Sequence, residues 1–241
     1  MVVTSRPPAD TLVRLLSRDM VLAAPRPWTK LWAATFLVSV PVFVQAPLVR
    51  VCPEASLLIS VLWFAIAGLL QRQSRWQGWG DLLQGFAWSW LAGSIYWGWL
   101  RWEPYLHLPV EAIALPFVIA GLRRQQGLVG HGFYLGSLIG TAITDGYFYW
   151  IGAVPFWREI ARSTPAEALP LAQQAIACLQ TPNALIGAIA LISLLCGAGI
   201  WALRRTHPAH WAFAGALLGT LLVDALFGLV AVSDRFSLTQ L

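Results

Sequence analysis

The 241-residue chain is 58% hydrophobic and 11% charged, with a mean hydropathy of +0.64. Soluble domains carry about 25% charged residues, so a water-soluble fold is excluded, and several uncharged runs near twenty residues define an all-α, polytopic membrane protein. The net charge of +5 does not mark a nucleic-acid binder, because the basic residues sit at the ends of apolar segments, where membrane topology accounts for them.

Residues 1–28 form a basic, proline-containing tail. Asp10, Arg14, Arg18 and Asp19 interrupt any apolar core between Met1 and Ala24, so no cleavable signal is expected. Leu12, Val13, Leu15, Leu16 and Met20 recur at helical spacing opposite Arg14 and Arg18, which fits either an amphipathic helix on the membrane surface or an unstructured tail. A single transmembrane domain follows over 29–232, since no hydrophilic stretch is long enough to fold alone. Spans near 31–49 and 55–70 form a hairpin across the short turn VRVCPE. Pro41 and Pro47 lack backbone donors and predict a kink in the first.

After a basic loop with Arg72 and Arg75 comes 82–100, nineteen residues without a charge. At a rise of ~1.5 Å per residue it covers about 28 Å, close to one hydrocarbon core. Trp76, Trp79, Trp88, Trp90, Trp97, Trp99 and Trp102 are half of the chain's fourteen tryptophans. Those near the predicted ends read as interfacial anchors. Trp88 and Trp90 lie deeper, and their indole N–H groups need partners. They are explained either by packing within the bundle or by contact with a bound pigment, quinone or lipid, for which His131 is a further candidate ligand.

The fourth span, near 108–122, carries Glu111 and Pro116, and the fifth, near 128–150, carries Asp145. An outer loop over 151–182 contains Thr164-Pro165-Ala166-Glu167, an N-cap, a first-turn proline and a first-turn acid, which predict a helix along the interface. Spans near 184–203 and 211–232, the latter with Asp224, and a tail over 233–241 complete the chain. With seven spans and the N-terminus in the cytoplasm, eleven basic residues face inside and five outside, as the positive-inside rule requires. Gly132, Gly136 and Gly140 repeat every four residues, and Gly215 and Gly219 do the same, so each set forms a bare ridge for close helix packing.

Ionisable groups inside a membrane are costly and usually face the protein interior. The arginine map puts Glu111, Asp145 and Asp224 in the outer half of the bilayer. They define a candidate polar cavity for a cation, a proton or a basic group, with Tyr96, Tyr147, Tyr149 and Thr144 as lining. The competing reading pairs Glu111 with Arg101 and Asp145 with Arg158 near the interface. His207 and His210 flank a proline and lack a visible third ligand, so no metal site is expected. Cys52 and Cys178 fall on the same predicted side, where a disulfide is chemically allowed. No P-loop, HExxH motif or nucleophile elbow occurs, and a non-enzymatic protein is expected.

The runs QAPLVR (45–50), FAWSWLAGSIYWGWLRWEP (86–104), HLPVEAIALP (107–116) and GFYLGSLIGTAITDGYFYW (132–150) resemble a family of multi-pass membrane proteins of cyanobacteria, a domain of unknown function. The resemblance implies a thylakoid or plasma-membrane location. By association it also implies an accessory or assembly role on a larger photosynthetic or electron-transfer membrane complex. The carboxylates instead point to a small ion or solute carrier, against which the lack of an inverted repeat weighs.

Overall fold

A computed structural model describes residues 27–238; the surface helix expected within residues 12–20 lies outside them. The described residues form helices and no strands. Helix α1 (Pro27–Val40) continues through a π-helical turn (Pro41–Gln45) into Ala46–Val51. The two prolines explain the irregularity. Pro41 and Pro47 supply no N–H, and the Ala46 N–H reaches back five residues to the Pro41 carbonyl. Helix α2 (Pro53–Gln71) returns, and α3 (Gln77–Ile95) runs on through a second π turn, Tyr96–Leu100.

The next passage is broken. A 3-10 turn (Pro104–Leu106), the short α4 (His107–Glu111), another 3-10 turn (Ala112–Ala114) and α5 (Leu115–Arg123) follow one another. Pro116 cannot donate to the Ala112 carbonyl, so the α-helical ladder gives way at that point. Helix α6 spans Leu128–Trp150. The segment expected to hold one interfacial helix holds two, α7 (Val154–Arg162) and α8 (Pro165–Leu179). Glu167 accepts hydrogen bonds from the Thr164 backbone N–H (3.0 Å) and hydroxyl (2.9 Å), which fixes the start of α8. Helices α9 (Pro182–Leu203) and α10 (Pro208–Leu238) end the bundle, α10 running on into the segment expected to be a tail.

Five of these helical passages are long and apolar enough to cross a membrane: Pro27–Val51, Pro53–Gln71, Pro104–Arg123, Pro182–Leu203 and Pro208–Leu226. Phe36, Leu58, Val61, Ile186 and Ile189 are each more than half exposed on them, a surface suited to lipid and not to water. Helices α3 and α6 are absent from this set. They carry glycine, serine and polar side chains, and α3 packs between α2 and α6.

Glycine sets the closeness of that packing. A Cβ on Gly85 would overlap the Gly130 carbonyl, and one on Gly130 would overlap the Asp81 carbonyl, so α3 and α6 touch backbone to backbone. Gly132 and Gly136 lie against the Ala209 and Phe213 carbonyls of α10, and a Cβ on Gly140 would come within 2.9 Å of Thr220. On the other face of α10, Gly215 meets Leu31 and Ala34 of α1, and Gly219 meets Thr35 and Val38. All five glycines of the two ridges therefore serve contacts inside this chain. The apolar core gathers Leu82, Phe86, Trp90, Phe133, Ala212 and Ala216.

Trp90 is 2% exposed, and its indole donates to the Ser56 carbonyl at 2.9 Å. Beside it, Gln45 Nε2 reaches the Trp90 carbonyl (2.6 Å) and the Ser94 hydroxyl (2.8 Å). Trp90 is thus a core residue. Cys52, Cys178 and Cys196 are free thiols.

Candidate functional site

Helices α3, α6 and the broken α4–α5 passage converge at the end of the bundle where α7 lies. Three local features place the side chains. The π turn at Tyr96–Leu100 buries Tyr96 completely. The 3-10 turn at Pro104–Leu106 puts His107 at the start of α4. Asp145 lies on α6 just over a helical turn before its end.

His107 Nδ1 lies 2.7 Å from Asp145 Oδ2, and Nε2 lies 3.9 Å from Glu111 Oε1, one turn along α4. The imidazole therefore stands between the two carboxylates. It is 7% exposed and Asp145 only 2%. The walls are aromatic. Ring centroids of Tyr96, Trp157 and Trp97 lie 4.3, 5.4 and 5.5 Å from that of His107, and Trp97 stacks on Trp157 at 10°. Tyr134 donates to the Glu111 carbonyl at 2.6 Å, fixing the end of α4 against α6.

Above this cluster Arg158 of α7 pairs with Glu103 at 2.6 Å and lies 5.0 Å over the Tyr105 ring. That hydrogen bond holds the Glu103 carboxyl below the usual carboxylate range. The arginine pairs read as alternatives from the sequence are thus replaced. Arg158 serves Glu103, and His107 is the partner of both Asp145 and Glu111.

The other candidate residues divide. Thr144 donates to Asp224 Oδ2 at 2.7 Å, so the third carboxylate neighbours the cluster through the residue adjoining Asp145. Tyr149 donates to the Pro104 carbonyl at 2.9 Å and stacks on Tyr105, at the edge of the site. Tyr147 is bonded to the Ala184 carbonyl at 3.1 Å, against α9. Trp88 and His131 sit at the opposite end, where both line a separate cavity that does not include Trp90. His107 was missed from the sequence, although the His-Leu-Pro-Val-Glu spacing of His107 and Glu111 is an i, i+4 pair on one helix face.

Chemically, two carboxylates and one imidazole at these distances are groups that can hold and exchange protons. Each carboxylate is acceptor-only when ionised, and the imidazole can donate from both nitrogens only when protonated. Moving a proton onto or off the cluster changes the one hydrogen bond, His107–Asp145, and the longer electrostatic contact to Glu111. Among the described residues no group of three or more His, Cys, Asp or Glu side chains is arranged to hold a metal ion.

Apolar helices, exposed apolar side chains and a buried ionisable cluster define the class: an integral membrane protein built as a helical bundle. Residues 34–232 match the family described as protein of unknown function (DUF3120), and the chain belongs to that family. No curated protein and no solved structure matches it.

Proposed function

We propose that this protein crosses the bilayer seven times, with its N-terminus in the cytoplasm. We read it as a small carrier, without enzymatic chemistry of its own, coupled to a proton held by His107, Glu111 and Asp145 towards the outer face. One observation carries the reading: the 2.7 Å His107–Asp145 contact, enclosed by aromatic rings and extended by Glu111. A buried ionisable cluster inside a membrane bundle is costly, and such groups mark proton relays and ion paths.

The two additional crossings, α3 and α6, are supported by their position. A helix surrounded by protein needs no lipid-facing apolar surface, so its hydropathy falls without loss of span. Helix α6 has twenty-three residues, enough for the hydrocarbon core. The excess of basic residues on the inner turns supports the orientation. An accessory or assembly role on a larger complex, and a thylakoid or plasma-membrane location in a cyanobacterium, rest on the sequence resemblance; the buried cluster favours the carrier.

The test is infrared difference spectroscopy of the purified protein in lipid, stepped across about pH 5 to 8, where an imidazole titrates. Wild type gives carboxyl and imidazole bands that change together. Asp145→Asn shifts the imidazole bands, because it replaces the carboxylate that contacts the ring. Unchanged spectra in Asp145→Asn and Glu111→Gln, with the fold intact, sink the proposal.

A further inference from the structure

The opposite end of the bundle holds a cavity of about 650 Å³ between the α2–α3 and α5–α6 turns, within the size range of small-molecule sites. Gln71, Asp81, Gln84, Trp88, Phe117 and His131 are among its walls. Its polar side is a hydrogen-bonded chain: Gln71 Nε2 donates to Asp81 Oδ1 (3.1 Å) and to Gln84 Oε1 (2.7 Å). Gln84 takes part in that chain through Oε1, and its Nε2 is the amide group it has for donating to a ligand in the cavity.

The apolar side is flat. Trp88 stacks on Phe117 at 13° with centroids 5.2 Å apart. Phe117 is 60% exposed on an apolar passage, so the cavity opens towards lipid there.

Charge narrows the ligand. Arg72, Arg75, Arg123 and Arg124 belong to the same turns but do not line the cavity, which argues against an anion. Asp81 is already engaged by the Gln71 amide at 3.1 Å, and the buried Lys30 ammonium stands nearby, 3.3 Å over the Trp79 ring, which argues against a cation. The rim is conformationally specified. Gln125 holds a left-handed backbone (φ 55°) and Gly127 another (φ 62°), in the turn that closes over the His131 ring.

We propose that this cavity binds the head group of an uncharged, flat-ringed amphiphile of the quinone class. The ring packs along the cavity edge of the Trp88–Phe117 pair, whose other neighbour is Phe64, 4.9 Å from Trp88; a ring carbonyl accepts from Gln84 Nε2, and the tail leaves past Phe117 into the bilayer. Neither the proton cluster nor the seven-span reading is needed for this assignment.

The experiment is quenching of tryptophan fluorescence by decylubiquinone, using the full-length protein in mild detergent. Wild type is quenched saturably by the quinone, and an excess of decylbenzene, which has no ring carbonyl and does not itself quench, fails to relieve that quenching by competition. Gln84→Leu weakens the apparent Kd roughly tenfold, the worth of about one hydrogen bond. Trp88→Phe, which keeps an aromatic platform, retains binding but loses part of the quench amplitude. Non-saturating quenching, relief of the quenching by decylbenzene, or a Gln84→Leu affinity equal to wild type overturns the assignment. Retention of the wild-type melting temperature shows that either variant is folded.

Discussion

The His107–Asp145 contact makes a prediction whose sign is decisive. If it is a buried, charge-assisted pair, removing one partner should cost more than removing both. His107→Phe leaves Asp145, only 2% exposed, without its partner, and stranding a buried charge costs roughly 3 to 5 kcal/mol. Asp145→Leu strands only an imidazole that can become neutral, at about 1 to 3 kcal/mol for a lost buried hydrogen bond. The double variant replaces the pair with apolar side chains of similar size among Tyr96, Trp97 and Trp157. Such replacements are often neutral or stabilising, so it should lie within about 1 kcal/mol of wild type. Glu111 lies 3.9 Å from the ring, beyond a good hydrogen bond, and loses less when the imidazole goes. The assay is reversible unfolding from mild detergent into a denaturing one, with all four proteins compared at one pH. Additive losses, with the double variant weakest, would falsify the pairing and with it the proposed proton site.

Cysteine accessibility in sealed vesicles tests the crossing by α3. With the N-terminus inside, Tyr105→Cys labels from outside and Arg124→Cys from inside if α3 spans, and the two sides exchange if it does not. Gly130→Leu, placed where even a Cβ meets the Asp81 carbonyl, should cost about 1 to 3 kcal/mol or more by overpacking. Gly197→Ala, with open space around it, should change the melting temperature little; equal effects would refute the glycine-contact argument. The Glu103–Arg158 pair carries a pH signature. Glu103 is held below its unfolded value, so its contribution is present above that value and lost as pH falls through the folded one. The melting-temperature gap between wild type and Arg158→Gln should therefore close below about pH 4; a gap independent of pH counts against the pair.

Much of the architecture was legible because lipid imposes a one-dimensional rule. Chain length and apolar content must agree over each crossing, and the bounds of 184–203 could be read to within two residues of the helix ends; those of 128–150 coincide with helix α6, which falls short of the others in apolar content. The proline-rich passages were legible only as irregular. That a π turn forms at Pro41 and 3-10 turns flank α4 depends on which carbonyls lose their donors, and neighbouring helices decide that. The carboxylates were legible individually, because each breaks an apolar run. Their partner was not. His107 sits at the edge of a span, in a position that charge counting treats as interfacial, and only the 3-10 turn at Pro104–Leu106 carries it beneath Trp157 and against α6.

The same reasoning explains why hydropathy undervalues the helices that matter most. A helix facing lipid on one side and protein on the other must stay apolar, as α2 and α9 do. A helix enclosed by others can exchange leucine for glycine, serine or a carboxylate. Glycine brings backbones into contact, and polar groups meet across the contact, as the Gln45 Nε2 group, Ser56 and Ser94 do beside Trp90. Low hydropathy in α3 and α6 is therefore what central helices of a polar-cored bundle should have. Both candidate sites draw on these two helices: Tyr96 and Asp145 at one end, Gln84, Trp88 and His131 at the other. The backbone contact at Gly85 and Gly130 lies beside Gln84 and His131, at the end that holds the second cavity. A bulky residue there should disturb quinone binding more than proton binding at the distant His107 cluster, whereas Gly197→Ala should disturb neither.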